Sequence, residues 1–444
     1  MTLSRRKFFA MAGASAAGTL AISPLQGLLA RAAFGQVTPT TTGYGPLIDS
    51  LDGILAVPAG FQYRVISRVG NIMADGSPVP GSQDGMAAFK GPRGTTILIC
   101  NHELGNTSGT QVQVPNRYDP VSRGGTTTMV VGANRQLIKQ FASLGGTIRN
   151  CAGGPTPWGS WITCEENVSV PGSSDGSTKL HGYNFEVPAS ATAPVEPVPL
   201  VAMGRFNHEA VAVDPATGIV YQTEDRGDSL FYRFLPNQPG NLAAGGRLQA
   251  LRIGNISNIA GSVNTAGGFS VGQKWAVNWV DIPEPNPQTD NVREQGRNLG
   301  AARFARGEGI WYGNGEIYFC CTNGGSVNPS GNPNGLGQVF RYIPATNTLE
   351  LFVQSPGASD LRAPDNICVA PFGDLILCED GAAPNFIRGV TPDGKLYNIA
   401  RNILNGGGSE FAGACFSPDG RTLFVNVQSA GLTLAIWGPW ERRI

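Results

Sequence analysis

Short apolar runs recur along this chain in pairs, and each pair is split by a turn rich in Gly, Pro or Asp. The first run of a pair opens on a polar residue of the kind that binds metals. The second closes on acids or amides, about 14 to 16 residues later in the clearest copies. Cys151 in NCAGG leads to WITCEE at 161–166, and Glu209 in HEAVAVDPATG leads to IVYQTED at 219–225. Glu308 in GEGIWYGNG leads to IYFCCTN at 317–323, and Asp365 in PDNICVAPFGD leads to LILCED at 375–380. Glu410 in EFAGACFSPDGR leads to LFVNVQ at 423–428, and a looser copy runs from Asp84 in DGMAAFKGP to ILICNHE at 97–103. The intervening residues are β-branched, aromatic or Cys, as half-buried strands prefer. The turns DPATG, GNG, PFGD and SPDG carry the residues that tight hairpins need. Six two-strand units of this kind predict an all-β chain folded as a six-bladed β-propeller. The inner strand of each blade then faces one channel, and a polar residue at one offset per repeat becomes a circle of polar residues. A generic β-sandwich is the alternative, but it gives no reason for six copies to share the order of strand, turn and acid. From about Asn237 to Arg303 the pattern lapses, which predicts a loop and partial helix laid over one blade.

Composition agrees with this reading. The 444 residues exceed one small core, yet a propeller adds blades without a second domain. A single domain is therefore expected over 33–444. There are 61 Gly, 32 Pro and only 14% charged residues, which suits a chain of many turns. Formal net charge is zero, with six Lys against 26 Arg. No basic run occurs, so nucleic acid is not an expected partner. A closed propeller hides its own strand edges, and a monomer is expected.

Ser4-Arg5-Arg6-Lys7-Phe8-Phe9 matches the twin-arginine export pattern, and a mildly apolar stretch follows to about Ser23. Ala30-Arg31-Ala32 offers a small-x-small cleavage site, so residues 1–32 read as a signal peptide. The stretch is short and rich in Gly and Ala, which argues against a membrane anchor. The expected partner is the twin-arginine export machinery, and the expected location is the periplasm or the medium.

Eight Cys in an exported chain suggest disulfides. Seven of them (Cys100, Cys164, Cys320, Cys321, Cys368, Cys378 and Cys415) lie inside apolar runs and read as small buried residues. A bridge between Cys368 and Cys378 is the pairing that neighbouring strands would allow. Cys151 stands apart, at the strand opening where other repeats place Glu or Asp. A thiolate among carboxylates favours a transition metal such as iron, whereas oxygen-only sites suit calcium. Two of the three His sit in one tripeptide, Asn101-His102-Glu103 and Asn207-His208-Glu209; either a buried structural role or a ligand role fits them. No H-E-x-x-H occurs, and His is too scarce for a zinc site built on it. Arg306 precedes Glu308 by two residues, which on a strand puts both on one face. It reads as either an ion-pair partner or a forked clamp for phosphate. Arg226 is a second candidate.

These segments resemble the PhoX family of exported alkaline phosphatases. The resemblance runs in order through the twin-arginine start, NHELG (101–105), NCAGGPTPWGSWITCEE (150–166), GRFNHEAVAVDP (204–215), VYQTEDRGDSLFYRFLP (220–236), GAARFARGEGIWY (300–312), PDNICVAP (364–371) and EFAGACFSPDGRTLFVNVQS (410–429). It implies a six-bladed propeller that holds Fe3+ and Ca2+ in its channel and hydrolyses phosphomonoesters under phosphate limitation. Carried over by residue, it implies that Cys151 and Glu209 ligate iron and that Glu308 is a ligand beside a phosphate-binding Arg306. Glu103, Glu165, Asp365 and Asp380 would supply further carboxylates, chiefly to calcium, with Glu166, Glu379 and Glu410 as substitutes. Many members of the family are longer, so this compact chain departs from the pattern where a cap would sit.

The implied chemistry is in-line attack on phosphorus by an oxygen held on the metals, with Arg306 stabilising the charge that develops. No Ser, Thr or His nucleophile motif competes with it. Two other functions fit a propeller. A calcium-dependent lactonase or esterase needs few ligands and no thiolate, so Cys151 separates it. A non-catalytic binding propeller needs no metal cluster, and metal analysis separates that one.

Overall fold

Residues 43–254, 269–326 and 334–442 are described by the computed structural model; the expected signal segment at 1–32 lies outside them. The apolar runs are strands throughout, with one short α-helix, Val292–Asn298, among the described residues. Each pair of runs is an antiparallel hairpin. In one, Gly307–Gly313 returns as Glu316–Cys321 through Asn314 and Gly315. Both turn residues have positive φ (56° and 82°), the twist a two-residue hairpin turn requires.

Six strands form an inner ring: Gln83–Lys90, Asn150–Pro155, His208–Val213, Gly307–Gly313, Pro364–Val369 and Phe411–Phe416. Each lies against the next, and the last returns to the first. The fold is thus all-β and propeller-like. The sheets that radiate from the ring are unequal. Two have four strands, one has three and one has six, while the strands that start from His208–Val213 and Gly307–Gly313 merge in one nine-stranded sheet.

The merger corrects the expectation of a loop over 237–303. That segment contributes two eight-residue strands, Gly246–Ile253 and Lys274–Asp281, besides the helix. Lys274–Asp281 pairs with Gly246–Ile253 on one side and Thr348–Gln354 on the other. Its residues alternate between exposed and buried from Lys274 to Asn278, so its period of two was present in the sequence.

The ring is locked by its ends. Gln62–Arg68, near the start of the described chain, is the fourth strand of the sheet built from Phe411–Phe416, Leu423–Val427 and Leu432–Trp437. Tyr44 donates from its hydroxyl to the Trp440 carbonyl at 3.0 Å, and Phe61 packs edge-on to Trp440. Apolar side chains fill the spaces between neighbouring sheets. Phe231 stacks on Phe319 at 4.3 Å between centroids, with Phe304, Phe340 and Tyr342 around them. Cys100, Cys164, Cys320, Cys321, Cys368, Cys378 and Cys415 all sit in such clusters, and no disulfide forms among the described residues, Cys368 and Cys378 included.

Every inner strand breaks register at one place. The slips fall between Gln83 and Met86, Asn150 and Gly153, His208 and Val211, Gly307 and Ile310, Pro364 and Ile367, and Ala412 and Cys415. A bulge re-aims the side chains it contains. The first bulged residue is Asp84, Cys151, Glu209, Glu308, Asp365 or Gly413. In five of the six bulges the second is Gly or Ala, because the next inner strand passes close by. A Cβ on Gly309 would stand 2.6 Å from the Asp365 carbonyl oxygen and 2.8 Å from the Asn366 Cα.

Gly309→Ala is expected to destabilise the fold by about 1–3 kcal/mol through this overpacking. Chemical denaturation checks it: the midpoint should fall while the denaturant slope stays constant. An unchanged midpoint would show that the neighbouring strand can simply withdraw.

Candidate metal centre

The bulges turn Asp84, Cys151, Glu209, Glu308 and Asp365 toward the ring axis, and all five are buried or nearly so. A second circle comes from the ends of the returning strands. There the chain offers neighbouring polar residues, and the alternation of a strand divides their work. In His102–Glu103, Glu165–Glu166, Glu224–Asp225 and Glu379–Asp380 the first residue turns away and serves the fold. His102 bonds the Gly81 carbonyl and the Thr127 hydroxyl, both at 2.9 Å. Glu224 accepts from the Tyr232 hydroxyl at 2.8 Å, and Glu379 accepts from Arg388 Nε at 2.8 Å. Glu165 accepts from the backbone N–H groups of Ile148, Gly182 and Tyr183 and bonds His181 Nδ1 at 2.8 Å. His181 in turn reaches Asp119 at 3.2 Å.

The second residues, Glu103, Glu166, Asp225 and Asp380, belong to the central cluster. Three sets of donors there lie within 4.8 Å of one another: Cys151, Glu166 and Glu209; Glu209, Glu308 and Asp365; and Asp84, Glu103 and Glu410. Glu209 belongs to the first two sets, and Asp84 and Glu410 of the third interact with Glu209 and Asp365, so these are parts of one site. Of the residues expected from the sequence, Cys151, Glu209, Glu308, Asp365 and Glu103 are brought together. Glu165 is not, because both its oxygens are engaged elsewhere; Glu166 takes the place. Asp380 lies outside the three sets but faces Glu103, Asp365 and Glu410. Asp84 was visible only as the opening of a loose repeat. Neither His102 nor His208 joins a set; His208 stacks on Phe206 and bonds the Gly204 carbonyl at 3.0 Å.

Two guanidiniums stand in this cluster. Arg306 binds Asp225 with Nε and Nη2, each at 2.8 Å, and its Nη2 also reaches Glu308 at 2.6 Å. The pairing with Glu308 does not come from a shared strand face. Arg306 precedes the strand with φ at 52°, its amide held by the Arg226 carbonyl at 2.8 Å. Arg149, two residues before Cys151, has φ at 48° and bridges Glu103 and Glu166. Nothing in a lone Arg before NCAGG singled it out.

Charge decides what this site needs. Asp84, Glu103, Glu166, Glu209, Asp225, Glu308, Asp365, Asp380 and Glu410 act on one another electrostatically. Nine carboxylates less two guanidiniums leave seven negative charges uncompensated if all are ionised. Burial first, and then neighbouring acids, push Asp84, Glu209 and Glu308 well above the carboxylate range. Asp365 and Glu166 rise to about 7, and Glu410 to about 12, with burial the largest cause. The Cys151 thiol rises too, by burial and by Glu209. Such groups ionise together only around cations. The donors fit: one thiolate with two carboxylates suits a thiolate-tolerant ion, and the oxygen-only sets suit hard ions.

Comparison with known proteins places this geometry. The family model described as Alkaline phosphatase PhoX matches residues 42–431. The solved structure of Pseudomonas fluorescens PhoX in complex with vanadate, a transition state analogue, is similar at TM-score 0.68 and 18% identity, over 89% of this chain and 98% of that one. A gluconolactonase from Xanthomonas campestris superposes only at TM-score 0.40 and 13% identity, over 91% of this chain and 100% of its own. No curated protein sequence matches the chain.

The raised carboxyls set a pH signature for metal-free protein. Above the ordinary carboxylate range the folded chain holds more protons than the unfolded one, so stability falls as pH rises. Buried His102 and His208 act oppositely, since His102 falls to about 4 and His208 to about 3, but only below about pH 6.5, whereas His181, raised against its burial by Glu165 and Asp119, adds to the fall above that pH. Between pH 6.5 and 9 the melting temperature of chelator-stripped protein is therefore expected to fall, and restored metal ions to reduce the slope. A flat profile in stripped protein would mean that these acids are not buried together.

Proposed function

The chain belongs to the PhoX family of alkaline phosphatases, and from that premise we propose that it hydrolyses phosphomonoesters at an iron–calcium cluster in the propeller channel. The observation that carries this is the run of donor sets around Glu209, with one thiol among the acids and a guanidinium at its edge. Cys151, Glu166 and Glu209 would hold iron. Glu308 and Asp365, with Glu209, and the set Asp84, Glu103 and Glu410 would hold calcium, with Asp380 beside them. When bound, these ions supply positive charge to the phosphoryl oxygens and acidify water. Water oxygen then joins phosphorus as the ester P–O bond breaks, and the alcohol leaves with a proton.

The chain's own part is to place the ester. Arg306 is held on one edge by Asp225 and Glu308, its side chain is 32% exposed, and Nη1 has no partner among the described residues. That open edge suits a phosphoryl oxygen, and the two acids keep the fork from swinging. Ring closure by the N-terminal strand, with Lys274–Asp281 read as a tie between two four-stranded blades, supports six blades in all. The twin-arginine segment supports export to the periplasm or the medium, with metals inserted before crossing.

Arg306→Ala is expected to cost about 2–4 kcal/mol in kcat/KM, roughly 30- to 1000-fold, with metal content retained. Inhibition by inorganic phosphate should weaken in parallel, and Arg306→Lys should recover only part of the loss. Steady-state kinetics on an aryl phosphate, with metals assayed in the same samples, checks it. Wild-type kinetics in Arg306→Ala would make Arg306 a structural partner of Glu308 and move the clamp to Arg226.

Cys151→Ser should lose iron and activity while the fold stays intact, since the site accepts a small side chain. Elemental analysis and circular dichroism of protein exported in its native way are the measurements. Iron retained at full activity would reduce Cys151 to a buried apolar residue.

A further inference from the structure

Beside the cluster lies a polar cleft of about 450 Å³, lined by Arg149, Glu166, Asn167, Val168, Ser169, Asn207 and Arg226. Glu166 belongs both to this cleft and to the donor set with Cys151 and Glu209, so the two spaces adjoin. Two features of the cleft go beyond the ion pairs of Arg149 with Glu103 and Glu166. Arg149 and Arg226 expose 44% and 43% of their side chains into a space with one lining acid. Asn207, only 2% exposed, accepts from Arg226 Nη2 at 2.9 Å through Oδ1, while its buried Nδ2 has no partner among the described residues. A buried amide donor without an acceptor is costly and uncommon. Its Oδ1 is fixed by Arg226, so the orphan is the N–H side, which asks for an oxygen.

We propose that this cleft receives the alcohol portion of the substrate and selects phosphomonoesters whose alcohol carries a second anionic group, a carboxylate or a phosphate. This rests on the phosphatase reading above. Arg226 and Arg149 supply the charge, and Asn207 Nδ2 donates to one oxygen of that group. Arg226 is well suited because its other neighbour, Asp290, is 3.9 Å away, too far for a tight pair. Arg306 turns its guanidinium to Asp225 and Glu308 while Arg226 turns its own to Asn207, so the transferred phosphoryl group and the second anion do not compete for one guanidinium.

The test compares substrates that differ in this group alone: phosphoglycerate with glycerol phosphate, and a hexose bisphosphate with its monophosphate. In wild type the kcat/KM ratio should favour the doubly anionic member of each pair by at least about 10-fold, the size of one charge-assisted contact. Arg226→Gln should bring both ratios to near one, chiefly through KM, and Arg226→Lys should restore part of the preference. Melting temperature and metal content, measured on the same samples, confirm that the variants are folded and loaded. A preference for only one pair identifies the anion as carboxylate or phosphate. Equal ratios in wild type and Arg226→Gln, with all four substrates cleaved, would overturn the proposal and leave the phosphatase reading intact. No cleavage of any substrate by metal-loaded wild type would overturn both.

Discussion

Mutual repulsion among buried carboxylates governs this molecule. An acid at the centre of a ring of strands cannot be solvated by bulk water, and its neighbours are acids as well. Left alone, the site can lower its energy only by holding protons, as the raised Asp365 and Glu166 do. The fold opposes this charge locally with Arg149 and Arg306, which are far too few. The rest must come from bound cations, so metal binding and folding are linked through the same groups. That linkage would give the proposed twin-arginine export a physical sense, since a protein that needs ions to settle its channel would gain from folding and loading first.

The backbone is shaped to gather these acids. A regular strand would send alternate side chains to opposite faces and place few of them on the axis. The shared bulge turns one residue of each inner strand inward, and the small residue after it lets the adjoining strand approach. The sixth bulge carries Gly413, whose Cβ would meet the Asp84 carbonyl oxygen at 2.3 Å. Glu410 enters instead from three residues earlier and completes the set with Asp84 and Glu103. The circle is therefore not perfectly regular, and its irregularity brings a separate donor set into being.

Much of this was legible because repeats multiply a weak signal. One polar residue before an apolar run means little; five at the same offset mark an axis, and Cys151, Glu209, Glu308 and Asp365 follow from it. What the repeats could not resolve was which of two adjacent acids turns inward. Glu165 and Glu166 have the same chemistry, and only the phase of the strand, fixed by pairing with Asn184–Pro188, separates them. Both faces of Ser160–Glu165 are buried, so alternation along the strand carried no sign of which acid turns inward. The nine-stranded sheet was missed for a different reason. Neither Gly246–Ile253 nor Lys274–Asp281 carries a ligand, and the second pairs with Thr348–Gln354, far along the chain, so the repeated motif gives no sign of them.

The same backbone slot explains why the two arginines differ. Ser82, Arg149, Arg306 and Ala363 each precede a bulged ligand by two residues, and each has φ between 47° and 52°. This left-handed conformation costs a non-glycine residue about 1 kcal/mol, so its repetition reflects the turn by which the chain enters the bulge. Four repeats thus offer equivalent perches at the mouth of the channel, and two are occupied by guanidiniums. Arg149 reaches only second residues of the acid pairs, Glu103 and Glu166, whereas Arg306 reaches Asp225 and, deeper, Glu308 of the bulge itself. Both perches therefore touch the donor sets, Arg306 through Glu308 and Arg149 through Glu103 and Glu166, and Arg149 also lines the polar cleft. In the proposed function a repeated scaffold becomes a directional site in this way: the phosphoryl end of an ester would meet Arg306, and the alcohol end Arg149 and Arg226.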